Sequence, residues 1–66
     1  MTYKTIIIEE SFAAGLAVGR ARAFLSANEA GNISIRGMGE GCVYVEIFTY
    51  NPLVMSYIED QLAEFV

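Results

Sequence analysis

Histidine and tryptophan are both absent from this 66-residue chain, and cysteine and proline occur once each, as Cys42 and Pro52. Without histidine the chain lacks the commonest general base near neutral pH and the commonest zinc ligand. A lone cysteine cannot close an internal disulfide. That excludes the small secreted scaffold held by cross-links and points to a reducing compartment. Basic residues are scarce too: four lysines and arginines stand against eight acids, for a net charge of −4. Nucleic-acid binders neutralise phosphates with clustered bases, so direct DNA or RNA binding is not expected. Long apolar runs are also missing, since Arg20, Arg22 and the glycines break every stretch long enough to span a bilayer. Met1–Glu10 lacks the apolar region and cleavage pattern of a signal peptide. The expected location is the cytoplasm.

What is present is apolar: 55% of the residues, enough for a core and too many for a disordered chain. The expected organisation is one compact domain over residues 1–66. A chain of this size buries only about 60% of the surface its unfolded form exposes, so the core must be dense.

Tyr3–Ile8 is β-branched or aromatic and predicts a strand. Its Ile6-Ile7-Ile8 run is apolar in both directions, so part of the strand is expected to be covered on both faces. Ser11, preceded by Glu9 and Glu10, is an N-cap signal. The helix that follows, Phe12 to about Asn28, gathers Ala14, Ala17, Val18, Ala21, Phe24, Leu25 and Asn28 on one face. Ala30-Gly31-Asn32 ends it, with Gly31 as a left-handed cap. Asn32–Arg36 alternates Ile33 and Ile35 with Ser34 and Arg36, a half-buried strand, and Gly37–Gly41 reads as the turn. In the next strand, Cys42–Tyr50, Val43, Val45, Ile47 and Thr49 point one way. Cys42, Tyr44, Glu46, Phe48 and Tyr50 point the other. Asn51-Pro52 starts a final helix to Val66, with Val54, Met55, Ile58, Leu62 and Phe65 on its apolar face.

The order β-α-β-β-α predicts an α+β fold. A right-handed crossover through the first helix puts the third strand in the middle of an antiparallel-type sheet ordered 1-3-2, packed with two helices. This resembles a ferredoxin-like fold without its last strand. An edge of the first strand is then free, unless the second helix or another chain covers it.

No residue set supports catalysis, a cofactor or a metal. Cys42 has no base beside it and reads as a small, half-buried apolar side chain. The carboxylates Glu9-Glu10 and Glu59-Asp60-Glu64 would need a cleft to separate their pKa values, and so short a chain has little room for one. Their spacing converges too few oxygens for magnesium or calcium. The glycine-rich segment leads from strand to strand, whereas phosphate-cradling loops lead from a strand into a helix.

Three surface features remain. Tyr44, Phe48 and Tyr50 alternate with Glu46 along one sheet face, with Tyr3 able to join them. That pattern fits a protein contact anchored by aromatics, unless the second helix folds over it. On the first helix Gly15, Gly19 and Ala23 form a stripe flanked by Phe12 and Leu16. It is open either to a second copy of the chain or to the second helix. Glu59, Asp60 and Glu64, with Glu9, Glu10 and Glu46, build a negative surface.

This whole-chain character (very short, acidic, αβ, without a catalytic set) resembles the small anti-CRISPR proteins encoded by bacteriophages and mobile elements. The resemblance covers the chain as a whole and no motif within it. It implies binding to a CRISPR effector complex in the host-cell cytoplasm and blocking of its DNA binding, in some members by mimicking DNA. The expectation is a non-enzymatic inhibitor of a larger, basic, nucleic-acid-handling protein. Glu59, Asp60, Glu64 and Glu46 would supply charge complementarity, and Tyr44, Phe48 and Tyr50 the anchors. The alternative is a small self-associating module, a homodimer formed through the glycine stripe or the free strand edge.

Overall fold

A computed structural model describes all residues, Met1–Val66. The elements are β1 (Thr2–Glu9), α1 (Phe12–Ala27), β2 (Gly31–Gly39), β3 (Cys42–Thr49) and α2 (Pro52–Leu62), which runs into a short 3₁₀ turn, Ala63–Phe65. The sheet order is β1-β3-β2, with both pairings antiparallel. The fold is α+β, with the most regularly alternating strand, β3, at the centre.

Each helix begins as its sequence dictates. Ser11 Oγ accepts the Ala14 N–H at 3.1 Å, and Asn51 Oδ1 accepts the Leu53 N–H at 2.8 Å with Pro52 in the first turn. From α1, Ala14, Val18, Ala21 and Leu25 are buried; from α2, Met55, Ile58 and Leu62. These join Ile8, Ile33, Val43, Val45 and Ile47 in one apolar cluster. Both helices therefore lie on the same side of the sheet. The small side chains of Ala14 and Ala21 let the α1 backbone come close to the strands. Burying a side chain such as Ile58 contributes about 1.5–3 kcal/mol.

The local details depart from expectation at four places. Ile7 is 51% exposed, so β1 is covered on one face only. Phe24 lies on the flank of α1, its ring 4.8 Å from that of Tyr57 on α2, and Asn28 is exposed, its amide donating to the Phe24 carbonyl. Gly31 does not cap α1; Glu29 takes the left-handed position with φ 50°. Gly31 has another role: a Cβ there would lie 1.9 Å from the Phe48 carbonyl oxygen, so only glycine permits the approach of β2 to β3. Lastly, Gly37–Gly39 belongs to β2, and the turn is only Glu40-Gly41, with φ 54° and 79°. Positive φ at both central residues is the primed turn that matches strand twist. A bulge between Ile35 and Gly37, with Arg36 as the extra residue, shifts the alternation of β2.

Candidate functional site

Because both helices occupy one side, the opposite face of the sheet has no cover. The register sets Tyr3 beside Phe48, Thr5 beside Glu46 and Ile7 beside Tyr44 across β1 and β3. On the other flank, Asn32, Ser34 and Gly37 of β2 lie beside Phe48, Glu46 and Tyr44. Tyr3, Phe48 and Tyr50 form a continuous aromatic row, with ring centroids 5.0 Å apart for Tyr3–Phe48 and 4.8 Å for Phe48–Tyr50. Tyr3 and Tyr50 are 62% and 60% exposed, and Tyr44 is 46% exposed. Phe48 and Glu46 are half-buried beneath their neighbours. The one ion pair of this face joins Arg36 Nε to Glu46 Oε1 at 3.8 Å. The face is thus an aromatic and aliphatic platform with one partly neutralised carboxylate, Glu46, near its middle and Glu9 at the end of β1.

The alternative in which α2 folds over the aromatics is not what the chain does. Two residues, Tyr50 and Asn51, link β3 to α2. The buried Thr49 hydroxyl donates to the Asn51 carbonyl at 3.0 Å, fixing the reversal toward the helix side.

The acidic trio lies elsewhere. Glu59 is on α2, where Lys4 of β1 donates to its Oε2 at 2.6 Å. Lys4 pairs across the sheet with Ile47, a core residue, which puts this ion pair on the helix side. Asp60 lies close by, in the cleft formed by Lys4, Ile6, Ala63 and Val66. Glu64 borders a different cleft with Arg20 and Phe65, between the two helices. Of the site residues expected from sequence, Tyr44, Glu46, Phe48 and Tyr50 share one face. Glu59, Asp60 and Glu64 share no face with them, and Glu59 is neutralised by a lysine.

Two further residues belong to the platform. Tyr3 extends the aromatic row, as its place in the strand suggested. Ile7 stands on the bare side although its run of three isoleucines predicts cover on both faces, because such a run carries no alternation to mark which side is open.

Compared with protein-family models, with curated proteins and with solved structures, the chain matches none.

The glycine stripe is also resolved into parts. Gly15 and Gly19 line an apolar groove of about 270 Å³ between α1 and the sheet, with Val18, Ile35, Met38 and Val43. Nothing lies within 4 Å of where a Cβ would stand on either glycine. Ala23 does not reach this groove, and α2 packs against the other flank of α1. Cys42, at the start of β3, is a free thiol of intermediate exposure. No group of three or more acidic or cysteine side chains converges as a metal site would require, and no helix is long and apolar enough to cross a membrane.

Proposed function

We propose that this chain acts without catalysis, by binding another protein through the open face of its sheet. The observation that carries the reading is the uncovered platform of Tyr3, Ile7, Tyr44, Phe48 and Tyr50. Tyrosine offers large, rigid contact area with a polar rim, and such residues dominate interface energetics. The net charge of −4 favours a basic partner, by speeding and orienting encounter more than by adding affinity. A larger nucleic-acid-handling protein has that chemistry, and the resemblance to anti-CRISPR proteins names a CRISPR effector complex as the first partner to test. In this reading the chain obstructs the partner's DNA-binding surface. Direct imitation of a phosphate row is the weaker form of the idea, since Glu59 is already paired with Lys4 and the other acids are dispersed.

The test is binding of the purified chain to a purified CRISPR effector complex, with displacement of labelled target DNA as the second readout. Tyr44→Ala and Tyr50→Ala are each expected to weaken binding about tenfold or more. Glu59→Lys with Asp60→Lys is expected to slow association while leaving the bound lifetime nearly unchanged. Binding that is indifferent to both tyrosine changes would remove the platform from the interface.

A further inference from the structure

In the β1-β3-β2 order the outer edges of β1 and β2 are both unpaired within the chain, and the two edges differ. Glu10 N–H donates to the Gly41 carbonyl, one step beyond the Glu9–Cys42 pair. Antiparallel ladders alternate, so the even-numbered residues of β1 turn their backbone groups toward β3. Those of Tyr3, Thr5, Ile7 and Glu9 then point outward. By the same rule the Tyr50 N–H to Ala30 carbonyl bond turns Gly31, Ile33 and Ile35 outward on β2.

On β2 this row is obstructed. Arg22 Nε donates to the outward carbonyl of Ile33 at 3.2 Å, and the bulge at Arg36 breaks the ladder soon after. Bulges and edge-facing charges are how proteins blunt a free edge. β1 has neither. Its 8 residues run in unbroken register without proline or glycine, and no side chain hydrogen-bonds to its outward groups.

We infer that this edge pairs with itself, joining two copies of the chain through antiparallel β1 strands into one six-stranded sheet. The sequence of β1 selects the register. A two-fold axis through Ile7 sets Ile7 opposite Ile7 of the second copy, Ile6 opposite Ile8, and Thr5 opposite Glu9. It also sets Lys4 opposite Glu10, and the symmetry repeats that charge pair. Axes through Thr5 or Ile6 would leave Lys4 facing isoleucine instead. Only the Ile7 register surrounds an isoleucine centre with two opposite-charge pairs, each Lys4 lying between Glu59 of its own chain and Glu10 of the other. The arrangement continues the open aromatic platform across both copies. It stands independently of any partner for that platform.

The test uses the full chain alone. Sedimentation across micromolar to millimolar concentrations is expected to show the mass rising from 7.2 kDa to twice that value. Hydrogen exchange should show the amides of Thr5 and Ile7 becoming protected as concentration rises. Glu10→Lys is expected to weaken association about tenfold through its two symmetric pairs, and Glu10→Lys combined with Lys4→Glu and Glu59→Lys, which reverses the whole charge set, to restore it. Thr5→Pro removes an outward N–H and should abolish pairing. If circular dichroism shows that variant unfolded, Ile7→Lys, which puts like charges on the axis from an exposed position, replaces it. A chain that stays monomeric throughout, or a dimer that survives Glu10→Lys and Ile7→Lys with Thr5 and Ile7 amides unprotected, overturns the inference.

Discussion

At Gly31 a steric constraint adds to a conformational one, with φ 154°, whereas at Gly41 only the conformational one applies, and one substitution each should show the difference. A Cβ on Gly31 would enter the Phe48 backbone, whereas one on Gly41 meets nothing within 4 Å and suffers only its φ of 79°. Left-handed backbone costs a non-glycine residue about 1–2 kcal/mol. Moving a strand backbone to relieve a 1.9 Å contact disturbs the β2–β3 ladder as well. Gly31→Ala is therefore expected to lower the urea midpoint clearly more than Gly41→Ala. Equal effects would mean that β2 shifts freely at its first residue. The special place of Gly31 was only half legible: the glycine announced a backbone requirement, and sequence alone assigned it to the helix end. What decides its role is a contact with a residue 17 positions later, and no local pattern carries that.

The β2–β3 hairpin is where local reading and structure part most. Three glycines within five residues look like a loop, because glycine is the commonest turn residue. Yet a two-residue turn with positive φ at both positions needs only Glu40 and Gly41, and the remaining glycines are absorbed into a strand bent by its bulge. Glu40 is the ill-suited member, a long side chain at φ 54° where asparagine is preferred. Glu40→Asn is expected to stabilise the domain by up to about 1 kcal/mol. That would raise its thermal midpoint by about 4–8 °C for each kcal/mol gained. An unchanged or lowered midpoint would indicate that the turn is not under conformational strain. Elsewhere the elements were readable because their signals are short-range. Ser11 and Asn51-Pro52 cap helices where they occur, and the alternation from Cys42 to Thr49 matches a strand buried on one side.

For the molecule as a whole, the decisive fact is that its two layers enclose one core and leave one face bare. Only 13 of 66 residues are buried, 12 of them apolar, all between the helices and one side of the sheet. The aromatic face was visible in sequence as an alternation, but whether it was open depended on which way α2 turned. An amphipathic helix declares that it packs on something, not on which side of a sheet. The acidic trio failed to join the platform for the same reason, since α2 carried it to the helix side. This division predicts two kinds of response to truncation. A domain below about 70 residues rarely has more than 3–5 kcal/mol of stability, and removing a buried leucine side chain costs about 2–5 kcal/mol. Leu25→Ala, at a fully buried position, is therefore expected to leave much of the chain unfolded at 25 °C. Tyr44→Ala acts on a half-exposed side chain whose loss opens no cavity, and is expected to stay within about 1 kcal/mol of the parent. Urea unfolding followed by circular dichroism measures both. If Tyr44→Ala proved as damaging as Leu25→Ala, the bare face would be holding the fold together, and its aromatics would need no partner to explain them.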